Sequence, residues 1–363
     1  MKKWLIAKMH NDLAVNISID KPQNGSRVVW VDAVKLFACF LVVFGHLYMS
    51  MASSGLLRAD SPWYQLPIQT IYTFHVPLFF VCSGFLYQFN KGGSTLEGHL
   101  RSLKNKALSL GVPYVTFSSL TLLLKNVFSS EVNNQATPFV RTLLFEPIAP
   151  YWYLYTLFLL FCLFPRLGNK KSIVKLFVAA FAIKLIYVFC PLCWSSPDLV
   201  QKIAACGVWF VFGMLLSNGD VRGRILNTHV AEIAAIMALV ISFNNYGVEN
   251  ANRGLQFLIA SLFVYSIITI AINARGLQKY ASIFSNMGHF FMPVYVLHTI
   301  CAAGIRSILL KLGIDSLCIN MIVGLVVSVA APIAIYQISL SHWWMLFVFE
   351  PVKALKHMKG KHE

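Results

Sequence analysis

The chain has 363 residues, of which 57% are hydrophobic and 12% are charged. This composition, with a mean hydropathy of +0.66, excludes a soluble globular domain and indicates a protein that crosses a membrane several times. The net charge of +16 does not indicate nucleic-acid binding, because the basic residues lie between apolar segments, as membrane topology requires.

About ten apolar segments are long enough to cross a bilayer, which takes about 20 helical residues. We therefore predict an all-α integral membrane bundle of about ten transmembrane helices. The predicted spans are residues 30–49, 65–89, 108–128, 151–165, 173–192, 200–217, 229–243, 254–272, 287–310 and 317–349. The last is long enough to contain a bend or a re-entrant turn near Pro332.

The positions of Lys and Arg predict the orientation. With a cytoplasmic N-terminus, 21 of the 30 basic residues fall in inside segments, four in outside loops and five within spans. By the positive-inside rule, both termini are expected to be cytoplasmic. Residues 1–26 are then an N-terminal tail, 27–349 a single membrane domain and 350–363 a basic C-terminal tail.

The first span carries three ionisable residues, Asp32, Lys35 and His46. At 100° per residue, Lys35 lies about 20° and Asp32 about 40° from His46, so all three share one helix face. Ionisable groups cost about 2.5–3.5 kcal/mol inside a membrane and usually serve a function. The structural alternative is an ion pair between Asp32 and Lys35, or snorkelling of both side chains to the cytoplasmic surface.

Lys35 and His46 are expected to contact different parts of a substrate. Eleven residues of helix separate them by about 16 Å, which excludes a direct hydrogen bond. His46 lies about 24 Å from Trp30 in a hydrocarbon core of about 30 Å, toward the outer side. As a neutral imidazole, it is suited to act as a general base or as a nucleophile, and the sequence does not choose between them.

Two sequence motifs resemble those of membrane acyltransferase family 3. The first helix carries Asp32, Lys35 and "LVVFGH" ending at His46, and the second span carries "FHVPLFFVCSGFLY" at 74–87. Weaker similarities follow in the same order at 106–114, 151–158 and 287–300, where the last segment contains "YVLH". One difference from the family is Lys35, where arginine is frequent; lysine offers a point charge without the bidentate fork.

The resemblance implies an acyl-CoA-dependent O-acyltransferase, in particular an O-acetyltransferase, of the bacterial cytoplasmic (inner) membrane. The acyl donor is then acetyl-CoA, and the acceptor is a hydroxyl of an envelope polysaccharide or a lipid-linked sugar. His46 takes the position of the catalytic histidine, and Lys35 that of the basic residue near the donor. The donor would enter from the cytoplasm and extend along the polar face toward His46.

Further candidate residues follow from chemistry and position, and each has a structural alternative. His75 is a second catalytic candidate, although it is equally explained as a packing histidine. The donor candidates are Asp32 together with Lys91, Arg101, Lys104 and Lys106, whose basic members also suit positive-inside anchors. The candidates for binding the acceptor are Ser83, Trp152, Tyr153 and His298; the two aromatic residues also suit anchors at the outer interface.

The sequence leaves other functional classes open. A multi-span transporter or flippase for a glycan or lipid-linked sugar would also place polar residues inside the membrane, and a catalytically silent scaffold is a third class. "CPLC" at 190–193 suits a disulfide or half of a metal site, but no second pair completes a zinc tetrahedron, so we expect no metal. We expect contact with membrane lipid and no nucleic acid, and a homo-oligomer is compatible with the sequence.

Overall fold

The computed structural model describes residues 27–90, 96–128, 139–247 and 252–359. Within these ranges the chain forms α-helices, three short 3₁₀ helices and connecting turns, without a β-strand. The α-helices are α1 (Val29–Ser53), α2 (Pro62–Phe89), α3 (Leu96–Val127), α4 (Phe139–Leu144), α5 (Trp152–Leu163), α6 (Lys170–Phe189), α7 (Asp198–Leu216), α8 (Gly219–Ile225), α9 (Thr228–Asn245), α10 (Arg253–Asn273), α11 (Ala281–Met287), α12 (Phe291–Lys311), α13 (Leu317–Ser339), α14 (Trp343–Phe349) and α15 (Pro351–Lys359).

Nine helical segments in these ranges are long and apolar enough to cross a membrane, which confirms the predicted all-α membrane bundle. The predicted span at 151–165 is the 12-residue helix α5. At about 18 Å, α5 cannot cross a hydrocarbon core of about 30 Å by itself. It begins next to Tyr151, which is 0% exposed, so its first turn starts inside the protein. The cytoplasmic location of both termini stays a prediction.

Two boundaries differ from the predicted ones. Helix α13 continues through Pro332, so the chain makes no re-entrant turn there; the helix ends at Ser339, and the chain turns at residues 340–342, before α14. A membrane helix tolerates an internal proline because neighbouring groups satisfy the freed carbonyl. Helix α3 begins at Leu96, so most of the predicted inner loop 90–107 is helical, since charged residues do not by themselves end a helix.

Two glycines bring α2 and α7 into backbone contact. A Cβ atom added to Gly84 would lie 1.9 Å from the Phe210 carbonyl oxygen, and one added to Gly213 would lie 2.0 Å from the Val81 carbonyl oxygen. No other residue fits at such a crossing, which is a familiar way of packing helices in membranes. The contact fixes the position of α2, which carries His75 and Ser83.

Helix α1 packs against α2, α10, α12 and α13, so its polar residues lie among other helices. At the other end of the chain, α15 packs against α3 and α14. Ala354 is 1% exposed, and Glu350 accepts a hydrogen bond from the Tyr336 hydroxyl at 2.9 Å. The start of the predicted C-terminal tail therefore packs on the helices of the membrane domain.

Candidate active site

Two cavities lie side by side in the helix bundle. The histidine cavity, of about 480 Å³, is lined by residues that include His46, Tyr72, His75, Trp152 and Lys184. The lysine cavity, of about 410 Å³, is lined by residues that include Lys35, Ser83, Lys106, Arg166 and Glu350. The predicted polar face of α1 therefore contributes His46 to one cavity and Lys35 to the other.

His46 is the centre of a cluster of aromatic and imidazole rings. Its ring centroid lies 5.3 Å from that of His298 and 6.1 Å from that of Tyr72, and Tyr72 in turn lies 4.8 Å from His75. Within the described residues, neither ring nitrogen of His46 has a hydrogen-bond partner. A half-buried histidine in a cavity wall with both nitrogens available is suited to proton transfer or nucleophilic attack.

The other two histidines each use one nitrogen on their own helix. His75 Nδ1 lies 2.7 Å from the Ile71 carbonyl oxygen, and His298 Nδ1 lies 3.0 Å from the Val294 and 2.8 Å from the Tyr295 carbonyl oxygen. Since a carbonyl only accepts, Nδ1 carries the proton in both residues and the neutral ring keeps Nε2 as an acceptor. His298 Nε2 is buried and has no hydrogen-bond partner in the described part of the chain.

Gly45, the residue before His46, allows the ring cluster to form. A Cβ atom at this position would lie 2.9 Å from Cε2 of Tyr72. A side chain there would push Tyr72 away from α1. In the "GH" pair of the first motif, His46 thus supplies the imidazole, and Gly45 leaves the space that the Tyr72 ring occupies.

Three aromatic residues line both cavities and separate them: Phe79, Tyr153 and Tyr295. We call this set the aromatic partition. Ring centroids lie 5.6 Å apart for Phe79 and Tyr153 and 5.7 Å apart for Tyr153 and Tyr295. A hydrogen bond of 3.2 Å joins the hydroxyl groups of Tyr153 and Ser83. Tyr153 is not an anchor at the outer membrane interface, the structural alternative given for it above. It is buried in the bundle because α5 starts inside the protein.

The start of α5 is held in place by α12. The Tyr151 hydroxyl donates to the Val296 carbonyl at 3.0 Å, and the Tyr295 hydroxyl donates to the Pro150 carbonyl. Trp152 consequently lies in the wall of the histidine cavity, with Lys202 Nζ 5.4 Å from its ring centroid. This placement keeps Trp152 as a candidate for contact with a sugar.

The lysine cavity is lined by cations from three separate segments. Lys35 has no hydrogen bond or ion pair within the described residues, so the structural alternative of an ion pair with Asp32 is not observed. Lys106 Nζ lies 4.7 Å from the Phe161 ring centroid, and Arg166 donates from Nε to the Tyr87 carbonyl at 2.7 Å. Glu350, the acidic residue of this wall, pairs with Lys353 at 2.9 Å.

The candidate donor residues of the predicted inner loop separate into two groups. Lys106 lines the lysine cavity. Arg101 and Lys104 are exposed and are not among the residues of that cavity wall; Arg101 instead forms a surface ion pair with Glu97 at 3.2 Å. Lys91 lies outside the described residues. Helical geometry explains the division, because only one face of α3 meets the bundle.

Sequence reasoning missed several residues of both cavities. These residues are Tyr72, Arg166, Lys184 and Arg253, each in one cavity wall, and Tyr295, in both. Lys184 and Arg253 carried a signal as cations within or beside apolar segments, but their meeting place depends on the tertiary structure. Within the described residues, no group of three or more His, Cys, Asp or Glu side chains is arranged to hold a metal ion, and Cys190 and Cys193 are free thiols.

Sequence comparison identifies the family. The family model for acyltransferase 3, described as an acyltransferase domain, matches residues 28–337. A curated relative is the nodulation protein NolL of Mesorhizobium japonicum, which is 26% identical over 170 residues. The match covers 47% of this chain and 43% of NolL, less than half of either protein. No solved structure matches the chain significantly. The family match extends from α1 into α13 and includes the whole wall of the histidine cavity and all of the lysine cavity wall except Glu350. Because the match covers most of the chain, the chain belongs to the acyltransferase 3 family of multi-pass membrane acyltransferases.

Proposed function

We propose that the protein is an acyl-CoA-dependent O-acyltransferase, specifically an O-acetyltransferase, of the bacterial cytoplasmic membrane. It transfers the acyl group to a hydroxyl of an envelope polysaccharide or a lipid-linked sugar. The observation that carries this proposal is the arrangement of the two cavities: His46, with both nitrogens available, faces one of them, and a cationic cavity lies directly across the aromatic partition. Family membership supplies the reaction class.

The lysine cavity is assigned to the donor. Acyl-CoA carries several phosphate charges, and cations without carboxylate partners, such as Lys35 and Lys106, suit such groups through charge-assisted hydrogen bonds. The distance of about 16 Å between Lys35 and His46 along α1 requires a donor with a long arm between its phosphates and its reactive carbon. The thioester of acyl-CoA stands at the end of such an arm.

The histidine cavity is assigned to the acceptor and to the chemistry. As a general base, His46 removes the proton of the acceptor hydroxyl while the oxygen attacks the thioester carbonyl; the C–S bond breaks, and the departing thiolate takes up the proton. As a nucleophile, His46 would first attack the thioester carbonyl; the C–S bond breaks, and the departing CoA thiolate takes up the imidazole proton. The acceptor hydroxyl would then attack the acyl-imidazole; the C–N bond breaks, and the released imidazole takes up the hydroxyl proton. Detection of an acylated His46 in protein quenched without acceptor would select the second route.

His298 is assigned a positioning role. Its buried Nε2 is a hydrogen-bond acceptor that no described residue donates to, and its ring lies next to that of His46. An N–H of His46 directed toward this acceptor, directly or through one water, leaves the other nitrogen of His46 as the base. Such orientation of a catalytic imidazole by a second group is a general feature of acid–base sites.

A transporter or flippase is the second candidate function. Two cavities separated by a thin aromatic layer also suit a translocation path. The two functions differ in what His46 does: transport of a sugar requires no proton transfer at this residue, whereas acyl transfer does.

The experiment that tests the proposal is mass spectrometry of envelope glycans from cells with the gene, without it, and with the His46→Ala variant. An O-acetyl ester adds about 42 Da to a sugar unit, as expected when acyl transfer replaces a hydroxyl proton. We expect this increment only with the wild-type gene. Equal acylation in all three strains would refute the proposal, and unacylated glycan that accumulates on the inner side would favour the transporter.

A further inference from the structure

Two cations lie in the wall of the histidine cavity and are not part of the lysine cavity wall. Lys184, in α6, is 9% exposed, and Arg253 is the first residue of α10; both line this cavity. Within the described residues, neither forms an ion pair with a carboxylate. Neither residue has a part in the acyl-transfer chemistry assigned to His46.

Both cations lie close to the same aromatic ring. Lys184 Nζ lies 5.3 Å and Arg253 Cζ 5.1 Å from the ring centroid of Tyr187. Arg253 also lies 4.3 Å from the Trp194 ring centroid. Cation–π contacts offset part of the cost of removing cations from water, but they leave the like charges of Lys184 and Arg253 uncompensated. A negatively charged occupant would neutralise both.

Hydrogen-bond donors of both cations remain available. Nη1 of Arg253 is buried and has no hydrogen-bond partner among the residues that the structure describes. The Lys184 ammonium has three N–H groups, and one donates to the Ala205 carbonyl at 3.1 Å. A buried donor without a partner is costly, so a site that holds one is suited to a ligand that accepts hydrogen bonds. Carboxylate and phosphate oxygens accept them best from such cations.

We infer that Lys184 and Arg253 bind an oxyanion, a carboxylate or a phosphate, carried by the acceptor. The inference rests on the proposed function and makes it more specific: the acceptor is an anionic glycan or a sugar linked through phosphate to a lipid, and a neutral glycan is a poor substrate. The oxyanion holds the acceptor in the cavity whose wall also contains His46, so that one hydroxyl meets the imidazole.

The histidine cavity continues into a larger one that suits the rest of a glycan. This vestibule, of about 930 Å³, shares Tyr72, Arg253 and Gln256 with the histidine cavity. Its wall adds polar and aromatic side chains, among them Gln69, Trp194, Asn245 and Asn252. Amide groups and aromatic faces are the groups that bind sugar hydroxyls and sugar rings. Arg253 therefore stands at the passage between the vestibule and the histidine cavity.

Acyl transfer to sorted glycans tests the inference. Envelope glycans from cells that lack the gene are separated into a neutral pool, a water-soluble acidic pool and a lipid-extractable phosphate-linked pool. Full-length protein in nanodiscs is supplied with labelled acetyl-CoA and each pool in turn. We expect label in an anionic pool: the acidic pool identifies a carboxylate and the lipid-extractable pool a phosphate. Transfer to the neutral pool at an equal or higher rate would overturn the inference.

Variants locate the effect. Lys184→Gln and Arg253→Gln should each raise the KM for the anionic pool about 10- to 150-fold, as expected for the loss of a charge-assisted contact, while the KM for acetyl-CoA stays unchanged. Arg253→Lys should retain part of the affinity. The matched control is Arg58→Gln, because Arg58 is an exposed cation paired with Asp60 and is not part of either cavity wall. An unchanged acceptor KM in Arg253→Gln would overturn the inference.

A binding measurement separates this inference from the proposed function. Glucuronate and inorganic phosphate are titrated into the wild-type protein and Arg253→Gln, with glucose as the neutral control and sodium chloride added to constant ionic strength. Wild-type protein should bind at least one anion, with affinity at least tenfold lower in the variant. If no pool is acylated but this difference is found, the proposed function fails and the anion site stands; absence of the difference overturns the anion site.

Discussion

The two cavities differ in the hydrogen-bond and ion-pair partners of their polar side chains. Around the histidine cavity, His75 in the wall and His298 beside His46 each donate one N–H to their own helix, which fixes their tautomers. Within the described residues, His46 keeps both ring nitrogens available. In the lysine cavity, Lys35 and Lys106 have no carboxylate partner, whereas Glu350 is already paired with Lys353. A site with fixed tautomers suits proton transfer, and a site with unpaired cations suits an anionic ligand. This difference supports the proposal that the chemistry occurs in the histidine cavity and that the donor binds in the lysine cavity.

The first prediction concerns the side of the membrane that each cavity faces, and its expected effect is all or none. In a cysteine-free background, a cysteine at Lys104 or Gly168 should be protected from an impermeant thiol reagent added outside intact cells. A cysteine at Arg58 should be labelled. The positive-inside rule, by which 21 of the 30 basic residues fall in inside segments, places residues 104 and 168 inside and residue 58 outside. The reverse pattern would put the histidine cavity on the cytoplasmic side and exclude the donor route proposed above.

The second prediction removes the chemistry from the histidine cavity. If His46 is a general base, His46→Ala should lower kcat by about 10²- to 10⁴-fold, the usual contribution of such a base. If His46 is the nucleophile, the variant should lose activity completely. Initial rates with labelled acetyl-CoA measure the effect. His229→Ala is the matched control, since His229 is an exposed histidine beside Glu232. Wild-type turnover in His46→Ala would contradict the assignment.

The third prediction tests the positioning role of His298. Replacement by Ala should lower kcat about tenfold or more without changing the KM for the donor, because the hydrogen-bond acceptor that orients His46, Nε2 of His298, is lost. His298→Gln should recover part of kcat, since its amide oxygen also accepts a hydrogen bond. A purely structural role predicts a different result, in which both variants lose folded protein and the remaining enzyme has normal kcat.

The fourth prediction concerns the partition and has the smallest expected effect. Tyr153→Phe keeps the ring between the cavities and removes the hydroxyl that bonds to Ser83. The loss of one such hydrogen bond, worth about 0.5–1.5 kcal/mol, corresponds to a change of about 2- to 13-fold in kcat/KM. Tyr153→Ala should have a larger effect because it opens the partition. Equal activity of the Phe and Ala variants would show that the ring does not separate two functional halves.

The relative positions of the polar residues of helix α1 were predictable from the sequence. Lys35 and His46 share a face because helical periodicity is fixed, and the structure places them in two cavities, as their separation implied. Arg101, Lys104 and Lys106 could not be distinguished, since a basic residue near a membrane surface has the same sequence pattern whether it anchors a helix or binds a ligand. The sequence also did not predict that α5 is too short to cross the membrane, because an apolar segment can be buried in protein as well as in lipid.

Contacts between distant segments were beyond the sequence. The meeting of Lys184 with Arg253, and of Tyr153 with Tyr295, depends on how α5, α6, α10 and α12 pack. The motif around His75 predicted a helix with an internal proline, but not that its histidine would be bonded to Ile71. These relations arise from packing, which a single sequence does not specify.

The division of labour between Lys35 and His46 is tested most directly by donor affinity. Isothermal titration with a non-hydrolysable acetyl-CoA analogue compares the wild-type protein, His46→Ala, Lys35→Ala, and the double variant Asp32→Asn, Lys35→Gln. We expect His46→Ala to bind within about twofold of the wild type and both Lys35 variants to bind about 10- to 150-fold more weakly, the loss of one charge-assisted contact to phosphate. Normal affinity in the double variant would contradict the account and leave Lys35 with a structural role.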